Sequence, residues 1–162
     1  MVNYQGNNEE RINMGHTVNS IVINAPYELV FDISNKIERW TELFGKEYAS
    51  ADVLERKGNE ITFRLTDEDK KSWVSKRWLF KELKFAYAQR WEPMFPFKYM
   101  KIVWYYTEYP EVIKMSWIQD FEMDPKFTKF TAEQIEGFIN KHSLDNMKIF
   151  KQVIEAEALA AK

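Results

Sequence analysis

The sequence contains no cysteine, which excludes a disulfide scaffold and any thiolate metal site. Glycine and proline are scarce, five of each, so no collagen-like repeat or linker-rich tract divides the chain. Histidine occurs only at His16 and His142, and that spacing does not suit a metal. No Gly-rich phosphate loop and no serine nucleophile elbow is present, which speaks against nucleotide and acyl-serine chemistry. No sign of charge dominates: the formal net charge is -2, and lysines alternate with Glu and Asp rather than forming the basic stripe of a nucleic-acid groove. No apolar run approaches the ~18 residues of a membrane span. Residues 1–15 are polar, lack the apolar stretch of a signal peptide, and read as a flexible tail. The expectation is a soluble, cytoplasmic protein with no membrane and no nucleic-acid partner.

What is abundant is aromatic: six Trp, eight Tyr and twelve Phe, 16% of the chain. Such residues favour strands and build either a bulky core or the walls of a pocket for a flat, greasy ligand. With 45% hydrophobic and 30% charged residues, 162 residues fit one globular domain, expected over residues 16–162.

His16–Ile23 reads as a first strand, and Pro26 fits the first position of a short helix reaching about Asn35. A second short helix over Lys36–Phe44 carries Ile37, Trp40, Leu43 and Phe44. The period then switches to two. Strands are expected over Ser50–Arg56, Glu60–Thr66, Ser72–Leu79, Phe85–Trp91, Tyr99–Glu108 and Val112–Glu122, separated by turn residues such as Lys57-Gly58-Asn59. Thr131 and Gln134 form a capping box opening a helix from Ala132 to about Ala160. Its predicted seam is Ile135, Ile139, His142, Asn146, Ile149, Val153 and Ala156. Strands joined by short turns make an antiparallel meander, and the last helix is the one large element able to cover its inner face. The fold class is α+β, a curved antiparallel sheet gripping a long C-terminal helix.

Polar residues sharing a face with apolar ones carry the functional signal, because burying an unpartnered polar group is costly. Met100, Ile102, Trp104 and Tyr106 alternate along one strand, and Met115, Trp117, Gln119 and Phe121 along the next. Arg77 shares its face with Trp73 and Ser75. Facing inward, its guanidinium needs a fixed carboxylate or the oxygens of a ligand; the opposite parity exposes it and buries Trp78. On the helix seam, His142 and Asn146 are satisfied core residues or ligand-binding groups. Tyr48, after Trp40 and Phe44, either donates a proton at a pocket rim or simply packs.

A resemblance joins these pieces. His16–Ile21, Asn24–Val30, Trp40, Glu42–Phe44 and Tyr48 resemble the start of the bacterial polyketide aromatase/cyclases of the tetracenomycin and spore-pigment types, members of the Bet v 1-like (START, or SRPBCC) superfamily. The likeness continues through Val53–Arg56, Phe63–Leu65, Ser72–Arg77, Pro96–Met100, Met115–Phe121 and Asn146-Met147. It implies a helix-grip fold and a cofactor-independent lyase of antibiotic-type aromatic polyketide biosynthesis. Such an enzyme directs regiospecific aldol cyclisation, dehydration and aromatisation of a poly-β-ketone bound to an acyl carrier protein. The implied catalytic residues are Arg77 and Tyr48. The implied substrate-binding residues are Trp40, Phe44, Trp73, Ser75, Met100, Trp104, Trp117 and Asn146. Implied partners are the carrier-bound chain and other synthase components, with the protein itself a monomer or weak homodimer. The competing expectation is a non-catalytic carrier of a lipid or aromatic metabolite on the same fold.

Overall fold

The computed structural model describes residues 13–162. Strand β1 (Met14–Ile23) begins two residues before the expected start, so Met14 and Gly15 belong to the sheet; the rest of the expected tail, residues 1–12, lies outside the described residues. Helix α1 (Tyr27–Ser34) follows. Pro26 stands just before it in extended conformation, as N-cap rather than as the first helical residue. A 3-10 turn (Ile37–Arg39) runs into the single turn α2 (Trp40–Leu43). Six strands then succeed one another: β2 (Tyr48–Lys57), β3 (Glu60–Asp67), β4 (Ser72–Phe80), β5 (Phe85–Glu92), β6 (Phe97–Glu108) and β7 (Ile113–Met123). Helix α3 (Ala132–Ala160) ends the fold.

All neighbouring strands are antiparallel, in the order β1-β7-β6-β5-β4-β3-β2. The first strand pairs with the last, and the strands between follow sequence order. Strict alternation sets the faces: Ile61, Phe63 and Leu65 on β3, Ser75 and Arg77 on β4, and Ala86 and Ala88 on β5 all turn inward. At the β2–β3 turn Gly58 takes a φ of 59°, the left-handed conformation that glycine adopts without a Cβ penalty.

The long helix closes the inner face. Its capping box is complete: Thr131 Oγ1 accepts from Gln134 N at 3.1 Å, and Gln134 Oε1 accepts from Thr131 N at 2.9 Å. The buried stripe differs from the predicted one. Ser143, Asn146, Met147, Phe150, Ile154 and Ala158 face the core, whereas His142 and Ala156 are exposed and Ile149 and Val153 only partly covered. From Ser143 onward the seam is rotated by one residue, about 100°, with Asn146 belonging to both, while Ile135 and Ile139 ahead of it pack on the core as predicted. Phe150 fixes the rotation by setting its ring edge-on to the stacked pair Trp104 and Trp117, at 5.7 and 5.2 Å. The result is a helix grip, and no described helix is long and apolar enough to cross a membrane.

Candidate functional site

Sheet and helix do not close completely. Between them lies a cavity of about 230 Å³. All ten residues selected from the sequence line it: Arg77, Tyr48, Trp40, Phe44, Trp73, Ser75, Met100, Trp104, Trp117 and Asn146. Trp104 and Trp117 pair across β6 and β7 and stack at 4.3 Å with planes 9° apart. Trp40 meets Trp104 at 5.7 Å, and Phe44 lies 5.8 Å from Trp117. These rings make flat walls suited to a planar ligand.

Arg77 is 1% exposed. Its parity follows the inward reading, with Trp78 on the outer face and only partly covered. No carboxylate pairs with it among the described residues. Its Nε donates to Asn35 Oδ1 at 2.9 Å, and its Nη2 has no hydrogen-bond partner. The guanidinium instead lies over two indoles, 4.2 Å from Trp104 and 5.5 Å from Trp40. Burial pulls its pKa down to about 10, which leaves it a cation at neutral pH.

A hydrogen-bonded scaffold aims this cation. Asn35, just after α1, donates through Nδ2 to Phe31 O at 2.9 Å and to the Tyr106 hydroxyl at 3.0 Å. The Tyr106 hydroxyl also bonds Ser34 Oγ at 2.7 Å. With both Nδ2 protons engaged, the Asn35 amide is held with its oxygen toward Arg77.

A second polar group faces the cavity from the start of β2. The Tyr48 ring packs on Phe44 at 5.0 Å and on Trp73 at 6.1 Å. Burial pushes its phenol well above its ordinary pKa, and the neighbouring Glu47 pushes the same way, so the hydroxyl keeps its proton. Glu47 also lines the cavity, and Asn146 Nδ2 donates to its Oε2 at 2.5 Å. Loss of water raises the Glu47 pKa against the opposing pull of Asn146, His142 and Tyr48. His142 borders the cavity although exposed, so the space reaches solvent there.

Arg90 adds a second guanidinium to the wall. It sits 4.7 Å from the Trp73 ring and 5.6 Å from Phe97, and donates to Pro93 O at 2.8 Å and Phe95 O at 3.0 Å. Desolvation lowers its pKa to about 10. Asn35, Glu47 and Arg90 escaped the sequence reading. Only Arg90 left a signal there, since it shares strand parity with Ala86 and Ala88. Among the described residues no group of three or more His, Asp or Glu is placed to hold a metal.

Comparison with known proteins agrees with this architecture. A family model described as "Polyketide cyclase / dehydrase and lipid transport" matches residues 23–148. A protein of Streptomyces cyaneus described as "Putative polyketide cyclase" is 46% identical over 146 residues, covering 87% of this chain and 94% of its own. Among solved structures, the Zhui aromatase/cyclase of Streptomyces sp. R1128 superposes with a TM-score of 0.71 at 17% identity, over 90% of this chain and 93% of that one. The di-domain ARO/CYC StfQ of the steffimycin pathway superposes with a TM-score of 0.77 at 14% identity, over 93% of this chain and 54% of that one. At these identities the two structures share the fold. The family match spans well over half the chain, and on that ground the protein belongs to the polyketide cyclase/dehydrase and lipid transport family.

Proposed function

We propose that this protein is a polyketide aromatase/cyclase that folds a carrier-bound poly-β-ketone in its cavity, directs one aldol closure, and promotes dehydration to an aromatic ring. The observation that carries the reading is Arg77. A buried guanidinium with one neutral hydrogen bond, an unpartnered Nη2 and no carboxylate is unfavourable for folding alone. It suits a site where negative charge develops. In an aldol step an enolate carbon bonds to a carbonyl carbon, and the carbonyl oxygen becomes an alkoxide. A fixed cation shielded from bulk water stabilises that oxygen without reorganising. The Tyr48 phenol, held protonated, is a hydrogen-bond donor to the chain and to the departing hydroxyl. The aromatic walls restrict the folded chain to few registers, which favours one ring closure over the several open to it in water.

Reconstitution of a minimal polyketide synthase, with and without the protein, tests the proposal. The wild type is expected to shift the products to one ring pattern. Arg77→Ala is expected to lose that effect by about 10²–10³-fold in rate, the scale for removing one oxyanion partner. Tyr48→Phe is expected to slow dehydration more than ring closure. An unchanged product pattern with the wild type overturns the cyclase reading. If the protein then still binds aromatic ketones, the carrier reading replaces it.

A further inference from the structure

Two charged side chains, Arg77 and Glu47, stand at different places in the cavity wall. Arg77 lies on β4 between Trp40 and Trp104. Glu47 stands where the chain enters β2, across from α3. Aldol closure followed by loss of water needs a group that takes a proton from carbon and gives one to oxygen. Arg77 stays protonated and cannot be that base. Tyr48 stays neutral and is a poor one.

Building on the cyclase reading above, we infer that Glu47 is the catalytic carboxyl that moves protons in this cavity, held on target by Asn146. Its carboxylate removes a proton from the methylene between two ketones. The enolate carbon then bonds to a second carbonyl carbon, whose π electrons go to oxygen. That alkoxide, paired with Arg77, is protonated by the Glu47 carboxylic acid. Glu47, again a carboxylate, removes a second proton from the same carbon. The C–O bond breaks, the carbon–carbon double bond forms, and hydroxide leaves as water with that proton. One water is lost and no oxidant or cofactor is consumed.

The geometry supports this assignment. Glu47 lines the cavity, one oxygen accepts from Asn146, and no Lys or Arg lies within ion-pair distance of it among the described residues. The titratable or charged groups that face it are His142 on α3 and Tyr48 beside it, with Arg90 of β5 acting on Tyr48 in turn. Desolvation raises its pKa, toward the range where a carboxyl exchanges protons near neutral pH.

The test is the pH dependence of ring formation in the reconstituted system, between about pH 5 and 9. Wild type is expected to lose rate on the acidic side as Glu47 takes up a proton. Glu47→Gln is expected to lose about 10²-fold or more and to lose that acidic limb, while still binding aromatic ligands. Asn146→Ala removes a bond that favours the carboxylate, so its acidic limb is expected at higher pH. A folded Glu47→Gln protein with wild-type rate and profile overturns the assignment and leaves the cyclase reading intact. If Glu47→Gln does not fold, the limb of Asn146→Ala decides, and an unmoved limb overturns the assignment. A wild type without effect on ring pattern overturns both.

Discussion

The buried guanidinium of Arg77 opposes folding. Its pKa of about 10 instead of 12.5 means that holding the charge costs roughly 3 kcal/mol at neutral pH. Because the folded pKa is the lower one, the penalty applies at all pH values below about 10 and fades only above it. Arg77→Met removes that penalty and keeps most of the volume. It also leaves Asn35 Oδ1 without its donor, a loss of about 1–3 kcal/mol. The substitution gives up as well the guanidinium contact over the Trp104 ring, worth about 0.5–2 kcal/mol. These effects nearly cancel, so the variant is expected to melt close to the wild-type temperature while losing its effect on ring pattern. Clear destabilisation in thermal melts makes Arg77 a structural residue instead. The sequence exposed this residue because strand alternation is a rigid rule: once Trp73 and Ser75 face inward, so does Arg77. Glu47 and Asn35 lie outside that rule. Asn35 caps the end of α1 and Glu47 sits in the bend before β2, where the direction of a side chain depends on the path of the backbone and not on any period.

Among the elements, β1 is tightly specified at Gly15, where this edge strand lies directly over a core ring. A Cβ at Gly15 would lie 2.1 Å from Cζ of Phe121, and that ring is fully buried with Phe97 against it at 5.6 Å. The ring has nowhere to go, so the strand must shift. Gly15→Ala is expected to lower stability by about 1–3 kcal/mol in urea titration. A change within a few tenths would mean that β1 moves freely there. The succession of strands along the chain, their turns and the capping box were all legible, since each rests on local chemistry, whereas the pairing of β1 with β7 joins distant segments and left no local signal. The rotation of α3 was not. Its sequence carries two apolar stripes one residue apart, through Ile135, Ile139, Ile149 and Val153 and through Met147, Phe150, Ile154 and Ala158. Periodicity alone weighs them almost equally. The stacked Trp104 and Trp117, brought together from β6 and β7, select the second by receiving Phe150.

In the whole molecule, the question is whether the space between sheet and helix is a chamber or an imperfection of packing. Four of the six tryptophans line it, together with two guanidinium groups and a carboxyl. A void left by loose packing is apolar and dry, whereas this one gathers polar groups whose desolvation is unfavourable. A chamber is expected to bind a flat hydroxylated bicyclic ketone and to report it by quenching of tryptophan fluorescence. At a ligand concentration about 100 times Kd, binding adds about 2.7 kcal/mol. For a domain of this size that is a rise of roughly 5–10 °C in Tm. Ala88 offers the control. It is buried on β5, opposite Arg77 in the ladder, and lines the cavity without making a polar contact. A cavity of about 150 Å³ accommodates a benzene ring, so the ring of Ala88→Phe takes up a large share of the available 230 Å³. That variant is expected to fold and to lose both the quenching and the thermal shift. If Ala88→Phe is strongly destabilised while the wild type binds no aromatic ketone, the space is a core with no room to spare, and the site lies elsewhere.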